Sequence, residues 1–416
     1  MTLQCREMGL HPDVKKYLRV RFPTAVNGVV PPVKCEVQIV DLMWVLFKFH
    51  PNDLSSGQDL VSFFWRPIER FFAAGGLVYV CVFDAPGLVP IAKAEEHKRR
   101  YGGVAPDPLE SDVCDDESLP RPWHAALANP KTRAVMCRYI TAGLARKFSE
   151  TSQTLPGCSV YISGTSNEVR RIDAAGTAVA TEHAAAALIG EGDLAVAYWA
   201  QQFHARSTVV RVLDSDEIPI LQLRAHIAKR SSPLFIWLVT PKRDESMTYH
   251  GYDAMPFEGF TCVDVLELNA EVRRAGLRVE EFCFQIICQK TDFVDKVITN
   301  LGVAPSLTAL EKNASHGILV TASAASCDSV LVRKSFSKAV LSAKRKRAEI
   351  RDDSGHDSET EFRRAWWTLC YWAFAWSGAL PATLQPRPAY GFDATGARTS
   401  AGRGQPYPTL SVTLGE

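Results

Sequence analysis

The alternation of apolar and polar positions over the first three hundred residues predicts short β-strands separated by helices. Short runs rich in β-branched residues indicate buried strands, and apolar residues recurring every three or four positions indicate amphipathic helices. The strand-like runs are 35–41, 77–83, 159–163, 207–214 and 234–239. Helices are predicted over 14–22, 60–74, 131–150, 263–275 and 278–290. Strands that alternate with helices are typical of an α/β fold with a mostly parallel sheet flanked by helices.

Carboxylates stand at the ends of several of these runs. The run 207–214 ends in Asp214, and Asp216 follows two residues later. One such pair is more often a solvated turn, but recurrence at strand ends and helix starts favours convergence at the carboxyl edge of the sheet, where open α/β folds bind ligands. The seven acids so placed are Asp41, Asp84, Glu191, Asp193, Asp214, Asp216 and Asp292. Seven like charges in one pocket would repel one another, which implies bound cations.

Composition narrows the class of protein. The 416 residues, 46% of them apolar, allow one large or two ordinary domains with a sizeable core. Because the net charge is only +1, any surface for nucleic acid must be local. No apolar run approaches about 18 residues, so no membrane span is expected. Eleven scattered cysteines without a Cys-x-x-Cys pair predict reduced core thiols and an intracellular location, with nucleus and cytoplasm both open.

A basic segment follows Asp84. Lys93 and Arg100 lie seven residues apart, or about two helical turns, so they share one helix face. Lys98 and Arg99 project elsewhere on the same helix. Such a charged helix is often a solvated face, but its position just after a strand-end aspartate favours a phosphate clamp beside a metal site.

The pattern changes beyond Asp292. Residues 301–340 resemble a helix-turn-helix around Gly302, with nucleic-acid binding as the expected role, and 341–361 form a charged loop predicted to be disordered. Its basic tetrad, 344–347, fits either a nuclear import signal or a basic linker. Residues 362–396 predict an aromatic helical segment whose tryptophans are more often core than a base-stacking platform. The tail 397–416 is expected to be mobile.

The order of these motifs resembles the flap endonuclease/XPG and 5′→3′ exoribonuclease superfamily. The resemblance covers about residues 8–310 and is carried by short motifs. These are Met8-Gly-Leu, Asp41, Val82-Phe-Asp84 with Lys93 and its arginine-rich helix, Gly190-Glu-Gly-Asp193, Asp214-Ser-Asp216 and Thr291-Asp292. The Gly-Glu-Gly-Asp and Thr-Asp-Phe steps lean towards the exoribonuclease branch, whereas the chain length is closer to flap endonucleases. Because family members begin at Met-Gly, the start at Met1 or at Met8 stays open.

The resemblance implies a PIN-like fold over residues 1–300, with an arch or cap over 102–150 and a helical C-terminal region. It implies two Mg²⁺ ions, with Mn²⁺ as the alternative, because oxygen ligands suit these ions. One ion would be held by Asp84, Glu191, Asp193 and Asp214, the second by Asp216 and Asp292, with Asp41 shared between them or just behind them. Lys93 and Arg100 would hold the scissile phosphate, and Lys98, Arg99 and Gly302 would contact substrate.

The function implied is a metal-dependent 5′ nuclease that hydrolyses phosphodiester bonds, as a 5′→3′ exonuclease, a flap endonuclease or both. The expected partner is DNA or RNA with a 5′ end or flap, without a membrane, and replication or repair proteins are candidate protein partners. There are departures from the family pattern. Leu42 and Met43 replace small residues, Thr291 precedes the last aspartate, and Gly302 stands alone where flap endonucleases have a glycine-rich hairpin. The alternative is therefore a catalytically inactive PIN-like scaffold that binds nucleic acid.

Overall fold

The protein is an α/β structure built on one mixed sheet of eight strands. The computed structural model describes residues 18–26, 34–48, 56–84, 119, 123–151, 155–165, 168–188, 192–213, 215, 217–241, 257–276, 279 and 282–283. This arrangement confirms the predicted α/β class and the mostly parallel sheet flanked by helices. The predicted regions 301–340, 341–361, 362–396 and 397–416 lie outside the described residues.

The sheet has the order β5-β4-β3-β2-β1-β6-β7-β8. Strands β3, β2, β1, β6 and β7 are mutually parallel, whereas β4, β5 and β8 are antiparallel to their neighbours. The strands are β1 (Val37–Asp41), β2 (Val78–Val82), β3 (Ser159–Ser163), β4 (Arg170–Asp173), β5 (Gly176–Val179), β6 (Thr208–Val212), β7 (Leu234–Pro241) and β8 (Phe257–Asp264). Five parallel strands joined by helices form the centre, and the antiparallel strands extend it at both sides.

The two faces of this sheet are covered by helices. Besides a 3₁₀ helix (Thr181–Leu188) and helical residues at 18–21, 279 and 282–283, the described part of the chain has seven α-helices. They are α1 (Leu42–Lys48), α2 (Gly57–Ala73), α3 (Trp123–Ala128), α4 (Pro130–Thr151), α5 (Gly192–Gln202), α6 (Glu217–Ile227) and α7 (Val265–Arg274). Helices α1 to α4 share one core with alternate residues of β1, β2 and β3. Helices α5 to α7 share the other core with the residues of opposite parity, including those of β6 and β7. Both faces of the central strands are therefore buried, as in doubly wound sheets.

The two cores differ in the size of their side chains. The core under α1 to α4 is rich in aromatic residues, with edge-to-face contacts of Phe148 with both Trp65 and Phe72. The other core contains many alanines from α5 and its approach, packed beside Trp199. Small residues let α5 lie close to β1 and β2, because their side chains occupy little space between helix and strand. The beginning of α5 is thereby brought to the ends of those two strands.

The start and end of α2 follow from its sequence. The Ser56 hydroxyl accepts a hydrogen bond from the Asp59 amide, and the Asp59 carboxylate accepts one from the Ser56 amide, which forms a capping box. The helix ends before Gly75, whose φ of 93° lies in the region that favours glycine. The predicted helix over 60–74 is thus confirmed, with its start three residues earlier.

The sheet also contains strands that the residue pattern does not predict. Strands β4 and β5 form a short hairpin within polar or alanine-rich sequence, and β8 precedes α7 and includes the first two residues of the helix predicted over 263–275. That helix begins at Val265, because Asp264 caps it by accepting a hydrogen bond from the Glu267 amide. The described part of 278–290 is helical at residues 279 and 282–283.

Two expectations about composition can be compared with the fold. Six cysteines in the described ranges are free thiols, and five of them, Cys81, Cys137, Cys158, Cys262 and Cys283, are buried, as predicted for core thiols. Within those ranges, no helix combines the length and the apolar character needed to cross a membrane. Helices α3 and α4, which fall inside the predicted arch or cap over 102–150, pack against the sheet; the domain boundaries themselves stay predictions.

Candidate active site

The centre of the sheet contains a topological switch point between β1 and β6. From β1 the chain proceeds to β2 and then β3 on one side, and later from β6 to β7 on the other. The crossover connections therefore diverge from the gap between β1 and β6, which leaves a crevice at the carboxyl ends of these strands. This is the place where open α/β sheets bind ligands, and three of the seven predicted acids are described there.

Asp41 is the last residue of β1 and is half-buried. Its Oδ1 atom accepts a hydrogen bond of 2.9 Å from the amide of Met43, in the first turn of α1. An orphan amide at a helix start favours a carboxylate acceptor, so α1 fixes the orientation of this side chain. The strand-end position predicted for Asp41 is confirmed.

Asp84 lies two residues beyond the end of β2 and is also half-buried. Its Oδ1 atom accepts a 2.8 Å hydrogen bond from the amide of Gly192, the first residue of α5. Because 108 residues separate the two in sequence, this bond fastens the end of β2 to the start of a helix on the other face. The positive end of the α5 dipole favours the carboxylate at this point.

Gly192 brings the two carboxylates to one place. A Cβ atom built on Gly192 would lie 2.8 Å from Asp84 Oδ1 and 3.6 Å from Asp41 Oδ1. The two oxygens are therefore separated by less than the sum of these distances. That range includes separations at which carboxylates share one divalent cation or hold two neighbouring ones.

The neighbouring helix starts lie at the same edge. Asp193 is the second residue of α5 and is 5% exposed. Beyond β6, Ser215 is fully buried and its carbonyl accepts a hydrogen bond from the Ile218 amide, so α6 starts with Glu217 close to the strand end. Asp214 follows Val212 by two residues in sequence, just as Asp84 follows Val82. Asp41 of β1 is paired with Val82 of β2, and Val40 of β1 is paired with Arg211 of β6. The carboxyl ends of β2 and β6 therefore lie on either side of the end of β1.

Helix α4 contains two arginines whose charges act on the same buried thiol as the charge of Asp84. This helix connects the parallel strands β2 and β3, so its N-terminal half lies at the carboxyl edge of the sheet. Burial raises the pKa of the Cys137 thiol to about 12, the negative charge of Asp84 adds to the rise, and the charges of Arg133 and Arg138 oppose it. The two guanidinium groups and the Asp84 carboxylate thus act on the same buried thiol. Arg138 is exposed and Arg133 is half-buried.

Other predicted site residues fall outside the described ranges. They are Glu191, Asp214, Asp216 and Asp292 among the predicted metal ligands, and Lys93, Lys98, Arg99, Arg100 and Gly302 among the predicted phosphate and substrate contacts. Among the residues that are described, no group of three or more acidic, histidine or cysteine side chains is arranged to hold a metal ion. The described part of the site is therefore the Asp41–Asp84 pair held by α1 and α5, with Asp193 beside it in the first turn of α5.

The oxygen atoms of this carboxylate pair determine which metal ions it could bind. Carboxylate oxygens are hard ligands, which suit Mg²⁺ and Mn²⁺. Each carboxylate is held through one oxygen by a backbone amide, which fixes its orientation before a ligand arrives. The described pair thus offers two ligand atoms of the type that these ions prefer, and a complete site would need further ligands.

The bulky residues after Asp41 do not fill the site. Leu42 and Met43 are buried at 1% and 5% exposure and belong to the aromatic-rich core beneath α1. Their side chains are accommodated by packing on that side of the sheet. The departure from the small residues of the resembled superfamily is thus taken up by the core.

No known family model matches this chain, and no curated protein matches it. The resemblance to the flap endonuclease/XPG and exoribonuclease superfamily therefore rests on its short motifs, and the PIN-like assignment stays a prediction.

Sequence reasoning overlooked Gly192, Arg133 and Arg138 as site residues. The signal for Gly192 was present, because a glycine at a helix start, in a helix that otherwise contains alanines, suggests a close approach of another group. The arginines carried no such signal, since charged residues on a helix are usually solvated. Their effect on the Cys137 thiol, which they share with Asp84, depends on how α4 crosses the sheet.

Proposed function

We propose that this protein is a divalent-cation-dependent nuclease that hydrolyses phosphodiester bonds in nucleic acid, acting at or near a 5′ end. The observation that supports this most is the meeting of Asp41 and Asp84 at the start of α5, at the switch point of the sheet. Glu191, Asp193, Asp214, Asp216 and Asp292 complete the proposed ligand set.

Phosphodiester hydrolysis needs a nucleophile and a way to stabilise charge on the phosphate and the leaving oxygen. Two Mg²⁺ ions held by these acids would supply an activated water and neutralise that charge. The chain's own contribution is orientation, since the amides of Met43 and Gly192 hold one oxygen of Asp41 and of Asp84. An acid pair that is fixed in advance needs little rearrangement when substrate binds.

The acidic edge would repel a polyanion unless cations lie beside it. Arg133 and Arg138 on α4 are candidates for this role, because their charges and that of Asp84 act on the same Cys137 thiol. Lys93 and Arg100 remain the proposed clamp on the scissile phosphate. Lys98, Arg99 and Gly302 are the proposed further contacts with the nucleic acid. Cations beside a carboxylate-held metal favour a phosphate group over an uncharged substrate.

A substrate panel tests the proposal. The full chain is incubated with 5′-labelled single-stranded DNA, flapped DNA and RNA, in Mg²⁺, in Mn²⁺ and in excess EDTA. We expect cleavage of at least one substrate with either ion and none with EDTA. Binding of nucleic acid without cleavage in any of the metal conditions would overturn the enzymatic proposal and favour the inactive scaffold.

A further inference from the structure

We propose that Gly192 is a positioning residue, which sets the Asp84 carboxylate against Asp41 so that the two can bind a common divalent-cation centre. The inference rests on the proposed metal-dependent function, but it concerns a residue outside the ligand set. It follows from two separate features of Gly192, its amide and its missing side chain.

The first feature is the backbone amide of Gly192, which lies in the first turn of α5. The first amides of a helix have no partner within the helix and carry the positive end of its dipole. The Gly192 amide donates to Asp84 Oδ1 at 2.8 Å, a short distance for such a bond. This bond selects one orientation of the Asp84 side chain. It also joins a residue after β2 to a helix that follows β5 in sequence.

The second feature is the missing side chain of Gly192, beside that hydrogen bond. A Cβ atom at residue 192 would lie 2.8 Å from Asp84 Oδ1, closer than Cβ atoms normally approach another heavy atom. The atom in the way is the end of a short side chain, so the Asp84 carboxylate would rotate while the backbone stayed in place. Rotation would lengthen the bond to the Gly192 amide and change the position of the carboxylate relative to Asp41. We therefore expect a methyl group to disturb the arrangement of the two acids.

Glycine at this position is not required by the backbone. The glycines with left-handed φ angles in the described ranges are Gly75, Gly157, Gly164, Gly176 and Gly276, and Gly192 is not among them. Alanine would therefore adopt the same conformation and would be favoured by helix propensity. The requirement for glycine comes from the neighbouring carboxylates.

The experiment compares Gly192→Ala with Gly143→Ala in the full chain, using Mn²⁺ as the probe. Gly143 is also helical, and its added Cβ would meet Val61 Cγ2 at 2.3 Å, far from any of the acids. Mn²⁺ affinity is measured by titration calorimetry, and thermal unfolding without metal is measured by circular dichroism. We expect Gly192→Ala to weaken Mn²⁺ binding by about 10- to 100-fold, the range for residues that orient metal ligands, with unfolding near the wild-type temperature. Gly143→Ala should unfold earlier and keep its Mn²⁺ affinity.

A double variant separates positioning from a general structural effect. If the methyl group acts by displacing Asp84, then adding Gly192→Ala to Asp84→Ala should weaken Mn²⁺ binding no further. An equal fold-loss in both backgrounds would overturn the inference, as would wild-type Mn²⁺ affinity in Gly192→Ala or failure of the wild-type chain to bind Mn²⁺.

The failure of this inference and that of the proposed function give different results. A wild-type chain that binds Mn²⁺ in a Gly192-dependent way but cleaves no nucleic acid refutes the nuclease and leaves the positioning role intact. A chain that cleaves nucleic acid with Mg²⁺ while Gly192→Ala binds Mn²⁺ normally refutes only the positioning role.

Discussion

Charged groups lie at both ends of the central strands, but the partners of these charges differ between the two ends. At the amino ends of β1 and β6, the Glu36 carboxylate accepts hydrogen bonds from the amide and hydroxyl of Ser207, at 3.3 Å each. The Arg230 guanidinium lies nearby, before β7. It donates to the carbonyls of Ala200, Phe203, Arg206, Ser232 and Pro233 and to the Thr208 hydroxyl.

At that amino end, a cation is matched by backbone acceptors. Arg230 is 8% exposed, and burial lowers the pKa of its guanidinium to about 10, so it remains charged at neutral pH. Its bonds include the carbonyls at the C-terminal end of α5 and beyond, where a cation complements the helix dipole. The charge thus ties helix α5 to the strands.

At the carboxyl end, charges of the same sign approach one another instead. Asp41 and Asp84 meet at Gly192, which is the other end of the same helix α5. Helix α5 is therefore held by a cation at its C-terminal end and by a carboxylate at its N-terminal end. The difference is that Arg230 contacts oxygen acceptors, whereas Asp41 and Asp84 each have an amide donor and, in addition, a like charge nearby. The proposed metal site rests on that approach of like charges.

The largest expected effect is at the acidic end. Glu191→Ala or Asp214→Ala should reduce single-turnover cleavage by at least about 10²- to 10³-fold, the scale for losing one stabiliser of the transition state. Without divalent cations, these variants should unfold at the same temperature as wild type or slightly higher, because repulsion between acids is relieved. Undiminished cleavage by Asp214→Ala would remove that residue from the site.

A large effect on stability is expected at the amino end. Arg230→Met should lower the free energy of unfolding by roughly 2–4 kcal/mol, because it leaves several buried carbonyls without a donor. Denaturant titration measures this loss, and Lys229→Met, at the exposed preceding residue, is the matched control. At temperatures where both are folded, the Arg230 variant should retain the cleavage rate. If Arg230→Met were as stable as wild type but inactive, the assignment of a structural role to the amino end would be contradicted.

A smaller effect is expected from the basic segment after Asp84. Lys93→Ala or Arg100→Ala should slow single-turnover cleavage by about 100-fold if these residues clamp the phosphate. Lys98→Ala should mainly weaken substrate binding, in a salt-dependent way. Small, equal and salt-suppressible effects at all three positions would instead indicate a solvated helix face.

The smallest expected effect concerns His183, which lies in the 3₁₀ helix (Thr181–Leu188) before α5. Its ring lies 4.6 Å from that of Trp199, and burial lowers its pKa below the usual 6.5. At pH values between the lowered pKa and 6.5, the unfolded chain binds more protons than the folded chain. The free energy of unfolding should therefore fall as the pH drops through that range. His183→Phe should flatten this part of the stability–pH curve. An unchanged slope in His183→Phe would contradict this assignment.

The central strands and their acids could be predicted because their sequences are locally distinctive. β1 and β3 are short apolar runs, and their predicted ends agree with the structure at Asp41 and Ser163. Strands β4, β5 and β8 could not be predicted in this way. They extend the sheet at its sides, where a strand has fewer neighbours and does not need an apolar run on both faces.

For the candidate site, the sequence predicts which residue types lie at strand ends and helix starts, but not which of them meet in space. The positions of Asp41, Asp84 and Asp193 at strand ends and a helix start are confirmed, since each follows from a local pattern. The contact that joins Asp84 to Gly192 spans 108 residues, and no local pattern contains that information. The position of Arg133 and Arg138 likewise depends on the crossing of α4 over the sheet.

The central claim is that the Asp84 carboxylate serves divalent-cation chemistry at the carboxyl end, and one comparison tests it most directly. Single-turnover cleavage in Mg²⁺ is measured for wild type, Asp84→Asn and Asp264→Asn. The Asp84 variant keeps the size and the acceptor for the Gly192 amide but loses the charge, while Asp264→Asn makes the same change at the α7 cap, where asparagine also serves. We predict that Asp84→Asn falls at least about 10²-fold below wild type and Asp264→Asn stays near it. Equal rates for all three proteins would contradict the account.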